Sequence, residues 1–242
     1  MSITISQVRC RNRDNVPDMR HSTAIPRILH QIWLGGRPMP LEFRRFAAGW
    51  RRNHSRWEYC LWSEDSLPEL HTAATYEAVQ PLAGKADVLR YELVWRFGGV
   101  YVDTDVECLR PLDPLLRGLP AFIADQRRNR PINCVLGAVA GHGLTEALVA
   151  GVGASFAAQR GLFEQTGPGF LKRTLYRYLG PGFTVTPGQR GFLHRSADGQ
   201  RAVHGFESGV FCPYDSHEKH RRHEPFPAAY AVHHWAGSWL AV

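Results

Sequence analysis

The stretch Gly98-Gly99-Val100-Tyr101-Val102-Asp103-Thr104-Asp105 decides how this chain is read. Gly98-Gly99 closes a helical pattern, Val100–Val102 reads as a short buried strand, and two carboxylates follow with one residue between them. Alternate side chains of a strand share a face, so the spacing predicts that Asp103 and Asp105 aim at one point. Two carboxylates held together repel and lose hydration, which costs free energy unless positive charge sits between them. A divalent cation that accepts hard oxygen ligands, Mg²⁺ or Mn²⁺, meets that need and keeps coordination positions for phosphates. The motif therefore points to a metal–diphosphate site. A bare D-x-D also occurs as turn or cap residues. Here the Gly-Gly pair, the buried strand and an Asp-x-x-Arg helix just upstream favour the metal reading.

That upstream helix spans Lys85–Phe97, with Ala86, Leu89, Leu93 and Phe97 on one face and Gly98 as its stop. Asp87 and Arg90 lie beside the apolar stripe. Their ordinary reading is an i,i+3 surface ion pair of little energetic weight; next to the acidic motif they also suit sugar hydroxyls and phosphate. Further upstream, Ile28–Leu34 reads as a buried first strand running into Gly35-Gly36. Trp33 at its end is either a core aromatic or a flat surface on which a nucleobase stacks. Pro40 opens a helix to about Trp50, Trp57–Trp62 reads as a second strand, and a broken helical stretch runs to about Gln80. Downstream, strands are expected at Ala121–Ala124 and Asn133–Val139, and helices at Leu144–Gln159 and from Gly169 to Leu179. The last third reads as loop-rich, with short strands near Phe183–Thr186, Ala202–Phe206 and Tyr230–His233. Alternation in Tyr230–Trp239 puts His233 and Trp235 on one face and His234 on the other. A neutral imidazole beside carboxylates is a good ligand for Mn²⁺. Strands alternating with helices imply an α/β layered domain whose site lies where strands end in loops.

Composition sets limits. The 242 residues are 44% hydrophobic and 21% charged, enough for a substantial core in one domain. The expected division is a flexible lead-in over residues 1–24 and a single domain over 25–242. The net charge is +7 with a pI near 9.4, compatible with nucleic acid, an anionic membrane or phosphorylated small molecules. The arginines are scattered in small clusters, among them Arg127–Arg130, without a long basic arm or zinc-finger spacing, which argues against a nucleic-acid binder. Five widely spaced cysteines with no C-x-x-C pair suggest reduced, buried thiols. With no apolar signal region and no membrane-length apolar run, the expectation is a cytoplasmic protein, compatible with peripheral membrane contact.

Several separated blocks together resemble one family. Ile25-Pro26-Arg27-Ile28-Leu29-His30-Gln31-Ile32-Trp33-Leu34-Gly35-Gly36, the segment Lys85–Tyr91, the block Gly98–Glu107 with Arg110-Pro111-Leu112-Asp113, and the closing Val232-His233-His234-Trp235 with Ser238-Trp239 are similar to the D-x-D-containing sugar-binding glycosyltransferases of family 32. That family is related to fungal mannosyltransferases, α-1,4-galactosyltransferases and, distantly, the catalytic domains of glucosylating bacterial toxins. The resemblance implies a GT-A fold, a mixed central sheet with a small helical annex, and a nucleotide-sugar donor, with a UDP-sugar ahead of GDP-mannose. It also implies Mn²⁺ or Mg²⁺ and transfer with retention. Carried over by position, Trp33 stacks on the base, and Asp87 and Arg90 contact the donor sugar. Tyr101 supports the donor pocket, Asp103 touches sugar or ribose and reaches the metal, Asp105 binds metal directly and His233 is the late ligand. Ser238 and Trp239 belong to an element closing over the diphosphate, and Asn133 is a donor-sugar or acceptor contact. The toxins' large helical insertions and the Golgi enzymes' membrane anchor have no counterpart in the sequence, so the acceptor stays open: a saccharide, a lipid-linked sugar or a small molecule, with no obligate protein partner.

The expectation is thus a metal-dependent retaining glycosyltransferase in which Asp87, Arg90, Asp103 and Asp105 carry the chemistry. The alternatives are a catalytically silent nucleotide-sugar-binding protein on the same fold, and a metal-dependent enzyme that cleaves the pyrophosphate of a nucleotide sugar. No Gly-rich nucleotide fingerprint of a nucleotidyltransferase is visible near the N-terminus.

Overall fold

A computed structural model describes residues 24–126 and 130–237. The first strand, β1 (Ile28–Ile32), is followed by α1 (Leu41–Asn53), β2 (Glu58–Trp62), a 3₁₀ turn at Glu64–Ser66, α2 (Ala73–Ala78) and α3 (Leu82–Phe97). Then come β3 (Gly99–Val102), β4 (Val106–Cys108), α4 (Asp113–Leu116), β5 (Ala121–Asp125) and β6 (Pro131–Ala138). The remainder contains α5 (Gly143–Ala157), α6 (Leu162–Gln165), α7 (Pro168–Leu179), β7 (Thr184–Gly188), β8 (Gly191–Arg195), β9 (Ala202–Phe206), α8 (Ser208–Phe211), a 3₁₀ turn at Lys219–His223 and β10 (Ala231–His233).

Eight strands form one mixed sheet in the order β2-β1-β3-β6-β5-β9-β8-β7, and β10 pairs with β4 in a separate two-stranded ribbon. β1 runs parallel to β2 and β3, and β6 runs antiparallel to β3 with Val102 opposite Val135. The ends of β1 and β3 and the beginning of β6 therefore meet at one edge of the sheet, where α/β folds place their ligands.

Two apolar clusters cover the sheet. One packs α3, α5 and α7 against Ile32, Tyr101 and Leu136, forming the helical layer expected from the sequence. The other joins α1, α8 and the β4–β10 ribbon to Leu29, Val100 and Val102. Strand alternation divides β1 and β3 between the two layers.

β1 carries two fully buried polar residues, and each is answered. His30 Nδ1 accepts from Trp62 Nε1 at 3.1 Å while its Nε2 contacts the Gly98 carbonyl at 2.9 Å, which places the ring proton on Nε2. Gln31, on the opposite side, accepts from the Tyr59 hydroxyl at 2.6 Å and donates to the Asp103 carbonyl at 3.2 Å. The His-Gln pair thus pins the end of α3 and the acidic turn to the first strand. The Gly-Gly pair is required for this closeness. Gly98 and Gly99 have φ of 64° and 92°, and a side chain on Gly99 would place Cβ 2.5 Å from the Ile28 carbonyl oxygen.

Most expected elements occur within a few residues. β4, β8, α4, α6 and α8 are additional, all of them three to five residues long. One cysteine departs from expectation. Cys60 is disulfide-bonded, whereas Cys108, Cys134 and Cys212 are free and buried. The expected lead-in, apart from Ala24, lies outside the described residues, as do Arg127 and Arg128. Among the described residues no helix is long and apolar enough to cross a membrane.

Burial pushes the His30 imidazole down to about 4, the Gly98 carbonyl offsetting only part of the effect. The folded protein therefore prefers neutral His30, while the unfolded chain takes up a proton near the ordinary value of about 6.5. The stabilisation is complete above that value and is lost as pH falls toward 4, with a size of roughly 3 kcal/mol at one protonation equilibrium. Urea denaturation across this window should show declining stability, with a shallower decline for His30→Gln; equal slopes for the two proteins would contradict the assignment.

Candidate functional site

Asp103-Thr104-Asp105 forms a turn between β3 and β4, and not the continuing strand that the spacing suggested. The strand stops because the Asp103 carbonyl turns to accept from Val106 N at 3.1 Å while Asp103 N donates to the Cys134 carbonyl at 2.8 Å. The two carboxylates nevertheless converge, through turn geometry instead of strand alternation. β10 then pairs with β4 so that His233 stands opposite Val106, one residue beyond Asp105. His233 Nε2 comes within 3.4 Å of Asp105 Oδ1. The chain after β10 stays on the turn: His234 N donates to the Asp105 carbonyl at 3.0 Å and Ala236 N to Asp105 Oδ2 at 2.9 Å. Trp235, at φ 51°, makes this second contact sterically available.

The Asp87–Arg90 pair is buried, not a surface salt bridge. The Arg90 guanidinium lies 3.2 Å from Asp87 Oδ1 and 3.1 Å from Asp103 Oδ1. It also donates to the Asn133 carbonyl at 2.7 Å and covers the Tyr101 ring at 4.5 Å. Asp87 accepts from Asn133 Nδ2 at 2.7 Å through Oδ1 and from the Thr166 hydroxyl at 2.9 Å through Oδ2. Tyr101 donates to Asp103 Oδ1 at 2.6 Å, and Tyr91 donates to the Thr166 carbonyl at 2.7 Å. Tyr91 and Thr166 were not singled out by sequence reasoning. Tyr91 follows Asp87 by one turn of α3, a spacing that could have found it, whereas Thr166, at the end of α6, reaches Asp87 only through the fold.

The electrostatics follow from burial and these pairings. Burial raises the Asp87 carboxyl above its ordinary value, with Arg90, Thr166 and Asn133 opposing. Burial likewise raises Asp103 against the pull of Arg90. Burial would raise Asp105 too, but the His233 imidazole and the Ala236 N–H outweigh it and hold that carboxyl below its usual range. Burial alone would lower His233; the Asp105 carboxylate overrides this and holds the imidazole well above its ordinary value. The site thus contains more carboxylate than Arg90 alone balances.

Ligand-capable atoms of Asp103, Asp105 and His233 all lie within 4.8 Å of one another. Two carboxylates with one imidazole suit Mn²⁺; Mg²⁺, which favours all-oxygen surroundings, matches less well. Trp33 is half-buried just past β1, donates from Nε1 to the Arg37 carbonyl at 2.6 Å and meets Phe43 edge-on at 5.9 Å. A run of rings leads from Phe43 to Phe46 and then to His234, which stacks on Phe46 at 4.8 Å. His234 faces away from the acidic turn's carboxylates, toward Glu107 at 3.0 Å and the Tyr214 hydroxyl at 3.1 Å. His233 and Trp235 share the other side, with rings 4.0 Å apart. Ser238 and Trp239 lie outside the described residues.

Residues 40–120 match the model of the glycosyltransferase sugar-binding region containing the DXD motif. Over that stretch, about a third of its length, the chain is similar to this region. In fission yeast, Schizosaccharomyces pombe, inositol phosphoceramide mannosyltransferase 3 is 33% identical over 127 residues, covering 50% of this chain and 35% of that protein. The Saccharomyces cerevisiae mannosyl phosphorylinositol ceramide synthase SUR1 is 32% identical over 136 residues, covering 49% of this chain and 32% of that protein. The chain therefore spans about a third of the length of these curated relatives. Among solved structures, the PaToxG glycosyltransferase superposes with a TM-score of 0.57 at 13% identity, covering 64% of this chain and 70% of that one. That likeness establishes the GT-A type of fold.

Arg90 is the group on which both acidic clusters lean. Arg90→Met should destabilise the domain by about 3–5 kcal/mol, because Asp87 and Asp103 are left buried without a counter-charge. The melting temperature should drop on the order of 10 °C, and Arg90→Lys should recover only part of it, since one ammonium cannot reach both carboxylates and the Asn133 carbonyl. A change within a degree or two for Arg90→Met would refute this account.

Proposed function

We propose that this protein is a metal-dependent, retaining glycosyltransferase that moves a sugar from a nucleotide-sugar donor to a hydroxyl group. The observation that carries the reading is the meeting of Asp103, Asp105 and His233, three ligand-capable side chains from the acidic turn and the late strand. These three residues would hold Mn²⁺. A divalent cation there supplies positive charge for the two donor phosphates and for the nucleoside diphosphate as it departs.

The remaining roles belong to the chain. Arg90 opposes the upward pull of burial on Asp87 and Asp103 and fixes their positions, and Asp87 and Asn133 would orient sugar hydroxyls. Tyr101 steadies Asp103 from within the strand. Trp33, half-exposed beyond β1, would stack on the base, and Ser238-Trp239 would close over the diphosphate. The acceptor hydroxyl would attack C1 from the face the diphosphate leaves, with a departing diphosphate oxygen taking its proton. The state of Asp87 supports this front-face route over a covalent intermediate. Both of its oxygens are already engaged, by Asn133, Arg90 and Thr166, and an engaged carboxylate is a poor nucleophile.

The fungal relatives are named as mannosyltransferases, which makes an activated mannose a donor to test beside UDP-sugars. The inositol phosphoceramide in those names agrees with the net positive charge of this chain. Arg222 of the Lys219–His223 turn pairs with Glu42 of α1 at 2.8 Å, joining that turn to a helix rich in arginine. The favoured acceptor is therefore a saccharide or lipid headgroup bearing phosphate, reached by peripheral contact with a membrane.

Incubating the protein with nucleotide sugars and Mn²⁺ should release intact nucleoside diphosphate; nucleoside monophosphate with sugar phosphate would instead identify pyrophosphate cleavage. Asp105→Ala should lower metal-stimulated donor hydrolysis and transfer at least a hundredfold, as expected when a group that organises transition-state charge is removed, while the circular dichroism spectrum is unchanged. Wild-type turnover by that variant, with metal present, would overturn the proposed site. Tight donor binding with neither hydrolysis nor transfer would mark a silent binding protein.

A further inference from the structure

His233 belongs to two potential ligand sets. Besides the acidic turn, its ring lies next to two free thiols, and ligand-capable atoms of Cys134, Cys212 and His233 all fall within 4.8 Å of one another. Cys134 sits on β6 beside Asn133, and Cys212 immediately follows α8, where its N–H donates to the Ser208 carbonyl at 2.7 Å. All three residues are buried, at 3%, 2% and 7% exposure. The Cys134 and Cys212 sulfurs are 3.7 Å apart. Two thiolates bound to one tetrahedral zinc at about 2.3 Å stand roughly 3.8 Å apart, so the sulfurs already have the separation that such a centre requires.

The third donor is also available. His233 Nδ1 is buried with no hydrogen bond of ordinary geometry and interacts with the Cys134 thiol, while Nε2 faces Asp105. Two sulfurs and an imidazole nitrogen form a soft donor set, which selects Zn²⁺ over Mg²⁺ or Mn²⁺. Three protein ligands leave a fourth position for water.

We propose that Cys134, Cys212 and His233 form a second, thiolate-type metal site that takes Zn²⁺ and competes with the acidic turn for His233. On the proposed reading of Asp103, Asp105 and His233 as the transfer site, on which the competitive half of this inference rests, zinc in the thiolate site is an inhibitor. With the imidazole protonated beside Asp105, binding replaces two S–H bonds and the His233 Nδ1–H bond with two Zn–S bonds and one Zn–N bond, and releases three protons to solvent. No oxidant or reductant takes part.

Co²⁺ serves as the spectroscopic stand-in for zinc. Titrated into the reduced wild-type protein, it should produce the near-ultraviolet thiolate-to-cobalt charge-transfer band at one equivalent, and Zn²⁺ should abolish that band. Cys134→Ser and Cys212→Ser should each lose the band, whereas Cys108→Ser and Asp105→Ala should retain it. In a parallel experiment, paramagnetic resonance of protein-bound Mn²⁺ should show release of Mn²⁺ on adding one equivalent of Zn²⁺ to wild type, but not to Cys212→Ser. No thiolate band in the folded wild-type protein, or a band indifferent to both cysteine substitutions, would overturn the site. Retention of Mn²⁺ by zinc-loaded wild type would overturn the competition. A thiolate band in a protein that turns over no donor would confirm the zinc site while removing the transfer reading, so the two failures are separable.

Discussion

One buried guanidinium holds this site together. Arg90 lies between Asp87 on its own helix and Asp103 at the end of β3, and it binds the Asn133 carbonyl at the start of β6. Three elements of the fold therefore depend on a single planar, permanently charged group. Lysine would be a poor substitute because its donors radiate from one point, whereas the guanidinium fork spans separate acceptors. Burying two carboxylates beside one arginine is costly by itself. The polar residues around them, Thr166, Asn133 and Tyr101, reduce that cost by supplying hydrogen bonds to the carboxylate oxygens. Arg90 leaves Asp105 to be balanced from elsewhere.

That balance comes from the C-terminal part of the chain. The β4–β10 ribbon sets His233 opposite Val106, and the backbone beyond it donates twice to Asp105. The acidic turn is thus held from one side by the central sheet and from the other by a segment more than a hundred residues later in sequence. This arrangement also brings His233 against Cys134 and Cys212, so a single imidazole stands between a hard and a soft donor set.

Much of the fold was legible because local rules governed it. The α3 stripe ending at Gly98, the apolar first strand and the strands near Ala121 and Ala202 follow from periodicity and glycine stops. The short pieces β4 and β8 were not legible. β4 has three residues and gains its identity only by pairing with β10. Strand alternation was the wrong reason for the convergence of Asp103 and Asp105, since the chain leaves the sheet after Val102. A turn and a strand place such residues on one side by different routes, and their spacing alone does not distinguish them. Asp87 and Arg90 were readable as a pair, but their burial was not, because α5 and α7 that cover α3 come later in the chain. The five cysteines gave no sign that Cys60 differs from Cys108, Cys134 and Cys212.

By itself, the sequence determined the chemistry on offer: a twin-aspartate motif behind a Gly-Gly turn, an Asp-x-x-Arg helix before it and a His-His-Trp segment far downstream. Those are properties of residue type and short-range spacing, which the chain fixes without folding. Only the tertiary structure decided which of these groups meet. It buried Arg90 between two acids, recruited Thr166, and chose His233 over His234 for the acidic turn. The physical reason is that strand pairing and helix packing join residues distant in sequence, and a paired backbone imposes a register that no local pattern contains.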